Sequence, residues 1–311
     1  MAATDPIRFQ PVHLPSKFRP LRFILRCPCV TSTIPSVERE ANSLLAKTSG
    51  ENVLPGDPDV VYLWRFRRNE DNEMGLPVLR IIGDVHSQIL PEDVVGTHAQ
   101  SYSDIIAGAG YSVQVGDMGD GETYEQLNAH VDGGRHRFFP GNHDHYNRLP
   151  PHCLGDFGPA ECGGIRFFFI RGARSADREK LLQMGRDLGR ILWFEEEELR
   201  EDQMRQAEQA YLAARPEIVL SHDAPTDIAR HAWKFARRFK APNPTAAFRP
   251  SGTNAFLTRL LDRHAPRLWM FGHHHHDWRY REGPTLFVCV GELSYLDIDS
   301  EGQVPGTTMR M

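Results

Sequence analysis

Five times in this sequence a short apolar run halts at glycine or serine and hands over to Asp, Asn or His. Val78-Leu79-Arg80-Ile81-Ile82 stops at Gly83-Asp84, and Tyr111–Val115 stops at Gly116-Asp117. Arg137-Phe138-Phe139 stops at Pro140-Gly141-Asn142-His143-Asp144, Glu217–Leu220 at Ser221-His222, and Leu268–Phe271 at Gly272-His273-His274-His275. Runs this short, rich in β-branched and aromatic residues, read as buried strands ending in polar loops. Helix-like segments stand near Ala99–Ala109, Tyr124–Val131, Glu195–Ala214 and Asn254–His264; the third is acidic in its first turn, as the helix dipole favours. Strand and helix in alternation predict an α/β fold whose functional loops gather at the strands' C-terminal ends. Ile165–Ile170 adds a strand, followed by a charged loop, Arg171–Arg178. Thr285–Val290 and Tyr295–Ile298 predict a hairpin closing a second sheet.

At 311 residues the chain is long enough for a sizeable core, and 40% hydrophobic with 25% charged residues is ordinary for a globular protein. A net charge of −5 excludes a general attraction to nucleic acid or anionic membrane, leaving only a local basic patch open. No apolar run approaches the ~18 residues of a membrane span, and Arg22 interrupts the N-terminal stretch Leu21–Leu25, which does not resemble a secretory signal. Cys27, Cys29, Cys153, Cys162 and Cys289 fit neither a disulfide framework nor a paired zinc motif, and read as reduced thiols of a cytoplasmic protein. Residues 1–76 are expected to form an N-terminal extension, either extra strands on the core or a partly ordered segment. Residues 77–311 carry the main domain, with a cap expected over 231–252, where Trp233–Lys240 mixes aromatic and basic residues. A plain amphipathic surface helix and loop is the alternative for that segment.

The strand ends define a candidate metal site. Asp84 with His86, and His273 with His275, are two residues apart, so each pair projects from one side of an extended segment. Imidazole and carboxylate without thiolate suit Zn, Fe, Mn, Co or Ni, and a carboxylate such as Asp117 can bridge two cations roughly 3.5–4 Å apart. In the charged loop, Arg171, Arg174 and Arg178 are candidates to clamp a phosphate, against the alternative of a solvated loop. Asp144 reads as a structural residue rather than a ligand, and Glu195–Glu198 as an acidic helix start.

Gly83-Asp84-Val85-His86, Gly116-Asp117-Met118-Gly119-Asp120, Gly141-Asn142-His143-Asp144, Ser221-His222 and Gly272-His273-His274-His275 resemble, in order, the motifs of the calcineurin-like metallophosphoesterases. The resemblance spans roughly Pro77 to Ile298. It implies a four-layer α/β/β/α sandwich of two mixed sheets, with a dimetal site at the strand ends. Asp84, His86 and His275 would bind one divalent metal and Asn142, His222 and His273 the other, with Asp117 bridging; Mn²⁺ leads among the metals, with Fe, Zn, Ni and Co as alternatives. His143 would protonate the leaving oxygen, and Asp120 would orient His143. The implied reaction is hydrolysis of a phosphomonoester or phosphodiester by metal-bound hydroxide. The substrate would be a small molecule or nucleotide, with Arg174 and Arg178 as substrate-binding candidates and a nucleic-acid end as a wider option. The sequence departs from the protein Ser/Thr phosphatases and diadenosine tetraphosphatases, which carry Arg after the second Asp of the second motif; here Gly121-Glu122 follow Asp120. That weakens a protein-phosphatase reading and suggests the broader bacterial- or phage-type set. A non-catalytic metal-binding scaffold is the alternative of a different class.

Overall fold

The computed structural model describes residues 79–239 and 247–304. The expected extension 1–76 lies outside the described residues, as do 240–246 of the expected cap. Strands β1 (Leu79–Ile82), β2 (Ser112–Gln114) and β3 (His136–Phe138) run parallel. Strand β10 (Tyr295–Ile298) lies antiparallel against β1, giving the order β10-β1-β2-β3. The second sheet has the order β4-β5-β6-β7-β9-β8. Its strands are β4 (Phe157–Cys162), β5 (Ile165–Ile170), β6 (Ile218–Ser221), β7 (Leu268–Phe271), β8 (Trp278–Glu282) and β9 (Thr285–Cys289). Its four inner strands are parallel, and β4 and β8 are antiparallel edges.

Side chains alternate across a strand, so each sheet presents two apolar faces. Leu79, Ile81, Val113 and Val115 meet Phe167, Phe169, Leu220, Met270 and Val288 between the sheets. On the outer face of the first sheet, Ile82 and Phe138 pack with Tyr102 and Ile105 of α1 (Tyr102–Ala107) and with Tyr124 and Leu127 of α2 (Gly121–His130). Beyond the second sheet, Phe168, Val219, Trp269 and Phe287 pack with residues of three helices. These are Met204 and Tyr211 of α4 (Glu201–Ala214), Ile228 of α5 (Thr226–Ala236), and Phe256 and Leu260 of α6 (Gly252–Arg263). Two mixed sheets between two helical layers make the expected α/β/β/α sandwich.

Several local expectations are corrected. Thr285–Cys289 and Tyr295–Ile298 are not a hairpin: β9 pairs with β7 and β8, whereas β10 crosses to pair with β1. The long helix begins at Glu201, and Glu195–Glu197 form a separate 3₁₀ turn. A helix, α3 (Arg178–Leu188), follows the loop that starts at Arg171. Of the cap segment, 231–236 continue α5, where Phe235 is buried.

The crossing strand is held by Arg80, which is buried on β1. Its Nε and Nη2 fork onto Asp297 at 2.7 and 2.8 Å, and Nη1 donates to the Ile105 carbonyl of α1. Asp297→Ala leaves this guanidinium buried without its anion, and is expected to lower the unfolding free energy by about 2–3 kcal/mol. Urea denaturation checks this; a loss below about 0.5 kcal/mol, no more than an exposed pair contributes, would show that the pair does not anchor β10.

Candidate metal centre

Level strand ends create the site. Ile82, Gln114 and Phe138 align across β1–β3, and Ile170, Ser221 and Phe271 across β5–β7, so the loops that follow share one edge. Ligand atoms of Asp84, His86, Asp117 and His275 all lie within 4.8 Å of one another, and so do those of Asp117, His222 and His273. Asp117 belongs to both groups. Asn142 joins the second, with Oδ1 3.0 Å from His222 Nε2. The seven residues singled out as ligands therefore meet, while His143 stands beside them, its ring edge-on to His86 with centroids 5.5 Å apart.

The backbone is bent hard to bring them there. His86, Asp117, His273 and His275 have φ values of 48°, 60°, 66° and 61°, a left-handed conformation that costs a non-glycine residue energy and persists only where its surroundings enforce it. Glycine is needed next to them because the neighbouring ligand fills the space: a Cβ at Gly272 would overlap Asp84 Oδ1, and one at Gly141 would overlap Asp117 Oδ1. Asp144 enforces the bend at Asp117. Its fully buried carboxylate accepts from the backbone N–H of Asp117 (2.8 Å), Met118 (3.3 Å), Gly119 (3.0 Å) and Gly141 (2.7 Å), and from Tyr124 Oη (2.9 Å). Burial and the charge of Asp117 push Asp144 up to about 6, so it is the anion at neutral pH.

The donor set fits a pair of divalent cations. Asp84 Oδ2 and Asp117 Oδ2 are buried and accept no hydrogen bond, although His275 Nε2 lies 3.0 Å from the first. Burial opposes ionisation of Asp84, yet His275 holds it at about 2; Asp117 also lies well below the usual carboxylate range, mainly through His222 and then His143. Burial depresses the His222 ring, but Asp117 outweighs it and carries it up to about 10, and Asp84 raises His275 in the same way. His273 goes the other way, to about 3, through burial and the charge of His222. Anions this firmly ionised demand positive charge, which a proton or a metal can supply. The His222 Nδ1–H donates to the Val115 carbonyl at 2.8 Å, which turns Nε2 toward the site. Cys289 lies nearby but donates to the Gly272 carbonyl, and the donors are nitrogen and oxygen only.

Two expected roles change. Asp120 Oδ1 accepts from the N–H groups of Glu122 and Thr123, so this side chain caps α2. No hydrogen bond joins it to His143 among the described residues, and the expected orienting role is not seen. Arg171 is buried and salt-bridged to Asp156 at 2.5 Å, with its guanidinium also bonded to the Glu196 carbonyl and lying over Tyr146. It is a structural brace, not a phosphate clamp. Arg178 lies over the Trp193 ring at 4.1 Å, and Arg174 is exposed. Sequence reasoning missed Glu292, whose Oε2 is 3.6 Å from His275 Nδ1 and whose Oε1 accepts from Gln88. It also missed Ser175 and Glu197 as neighbours of Asn142: the Asn142 amide donates to Ser175 Oγ at 3.1 Å, which in turn donates to Glu197.

A family model for the calcineurin-like phosphoesterases matches residues 78–277. Solved structures similar to this one include a dimetal phosphatase from Danio rerio, 14% identical with a TM-score of 0.41, the match covering 73% of this chain and 91% of that one. A phosphopantetheinyl hydrolase from Mycobacterium tuberculosis is 14% identical with a TM-score of 0.39, over 70% of this chain and 91% of that one. Vps29 from Chaetomium thermophilum is 12% identical with a TM-score of 0.29, over 70% and 71% respectively. No curated protein matches the sequence.

Because Asp117 carries the His222 ring up to about 10, metal entry is expected to displace a proton from it. Calorimetry of the full chain at pH 7, in two buffers of different ionisation enthalpy, is expected to show release of about one proton on metal binding. Binding with no proton release would place the metal elsewhere. Asp144→Ala strands buried amides, and is expected to cost at least about 3 kcal/mol of stability and to weaken both metal positions. Denaturation and metal titration check this, and wild-type values in both would remove Asp144 from its bracing role.

Proposed function

The chain belongs to the calcineurin-like phosphoesterase family, and from that membership we propose that it hydrolyses a phosphomonoester or phosphodiester at two divalent metals. The observation that carries the reading is Asp117, a buried carboxylate shared by both ligand groups with one oxygen accepting no hydrogen bond. Asp84, His86 and His275 would hold one ion and Asn142, His222 and His273 the other. The mixed nitrogen and oxygen donors admit Mn²⁺, Fe, Zn, Ni and Co alike, and we carry Mn²⁺ forward as the leading metal to test. When bound, such a pair lowers the pKa of water and neutralises charge developing on the phosphoryl oxygens.

The protein's own groups have distinct tasks. His143 donates its backbone N–H to Asp117 Oδ1 at 2.8 Å, which fixes the residue at the site while its half-buried ring is left to act. We assign that ring the proton given to the leaving oxygen, with no part for Asp120. Arg174 is exposed one residue before Ser175, whose hydroxyl touches the Asn142 amide, and is our candidate for binding the substrate's phosphoryl oxygens. Arg178, lying over Trp193, is the weaker candidate. The substrate in this reading is a small phosphate ester or a nucleotide. No described helix is long and apolar enough to cross a membrane.

The full chain with added Mn²⁺ is expected to hydrolyse p-nitrophenyl phosphate or bis-p-nitrophenyl phosphate. A metal-loaded chain inert on both, and on nucleotides, would favour a scaffold. His143→Ala is expected to retain its metals and lose about 10²–10⁴ in kcat on esters with poor leaving groups, and less on activated aryl esters. Equal turnover to wild type on both would remove the acid role.

A further inference from the structure

The acidic run 195–198 and the loop after β5 meet in a way the reaction above does not require. Asn142 is the only amide among the proposed ligands, and an amide can present either its oxygen or its NH₂ to a cation. Its Oδ1 lies toward His222, and its Nδ2 donates to Ser175 Oγ at 3.1 Å. Ser175 then gives both of its own donors to one carboxylate: Oγ–H to Glu197 Oε2 at 2.5 Å and N–H to Oε1 at 3.2 Å. Every donor in this relay points toward Glu197. Asn142, Ser175 and Glu197 are all buried.

The relay is itself braced. Arg171 bonds the Glu196 carbonyl, which holds the 3₁₀ turn carrying Glu197 against the loop. Gly172, at φ +86°, has no room for a Cβ because the Glu197 carbonyl occupies that space. The Gly172 N–H bonds the Pro140 carbonyl at 2.9 Å, tying the same loop to the segment that carries Asn142.

We propose that Glu197 and Ser175 are positioning residues for the metal held by Asn142, His222 and His273: they fix the amide with its oxygen toward the ion and polarise it. An amide whose N–H donates toward an anion carries more negative charge on its oxygen, which makes a weak neutral ligand a better one. The relay reaches one metal position only, because nothing in it touches Asp84, His86 or His275. It rests on the ligand reading given above.

The test is calorimetric titration of the full chain with Mn²⁺, comparing wild type with Ser175→Ala, Ser175→Thr, Glu197→Gln and Asn142→Ala, with thermal unfolding of each. Asn142→Ala is expected to lose one ion. Ser175→Ala is expected to bind one of the two ions about 10- to 100-fold more weakly and the other as wild type. Glu197→Gln, which keeps the shape but removes the charge, is expected to weaken the same ion, while Ser175→Thr retains the hydroxyl and the affinity. If Asn142→Ala loses an ion while Ser175→Ala and Glu197→Gln bind both as wild type, the relay is wrong and the ligand assignment stands. A lower melting temperature in those two variants with unchanged affinities overturns the relay in the same way. If Asn142→Ala itself binds both ions as wild type, the ligand assignment fails and takes the relay with it.

Discussion

The buried carboxylate of Asp144 gathers three consecutive backbone N–H groups after β2, one after β3, and the Tyr124 hydroxyl. Without it, those amides would sit in the interior with no acceptor, each costing roughly 1–3 kcal/mol. With it, Asp117 is held in a left-handed conformation it would not adopt alone. Asp117 then fixes the next motif by accepting the His143 N–H, and Asp84 does the same across the sheet edge by accepting the His273 N–H at 3.0 Å. The loops that meet at the centre are thus tied to one another by the carboxylates themselves. Each of these two carboxylates gives one oxygen to the backbone and leaves the other without a hydrogen bond.

This arrangement explains the electrostatics. Hydrogen bonds and imidazoles keep Asp84 and Asp117 ionised despite full burial, and those charges raise His222 and His275 in turn. A site with this balance is stable when something positive sits in it. Nitrogen and oxygen donors, Nε2 of His86 and His275 3.2 Å apart, and two buried carboxylate oxygens that accept no hydrogen bond together describe a place for cations rather than for a packed core.

The residues that meet at this centre were legible in the sequence because their signal is local: an apolar strand, a small residue, then a donor. The reason for the small residue was only half legible. The turn was visible, but the clash of a Cβ with the neighbouring ligand depends on a residue far away in sequence. Asp120 shows the same dependence: next to a motif it suggested a partner for His143, and in the fold its bonds go to the start of α2. The acidic run 195–198 fits a helix start by charge alone. In the fold its members bond elsewhere, Glu197 to Ser175 and Glu198 to the N–H and hydroxyl of Thr253. The edge strands β4 and β8 escaped notice because Phe157–Cys162 contains glycine and proline, and Trp278–Glu282 alternates aromatic with charged residues.

The central claim is that two metals share Asp117, and electron paramagnetic resonance of the Mn²⁺-loaded full chain, read with its metal content, tests it most directly. Two ions per chain with an exchange-coupled spectrum are expected, reverting to isolated-ion signals or a single ion in Asp117→Ala. A wild-type chain that binds one ion, or two that show no coupling, would contradict a shared bridge.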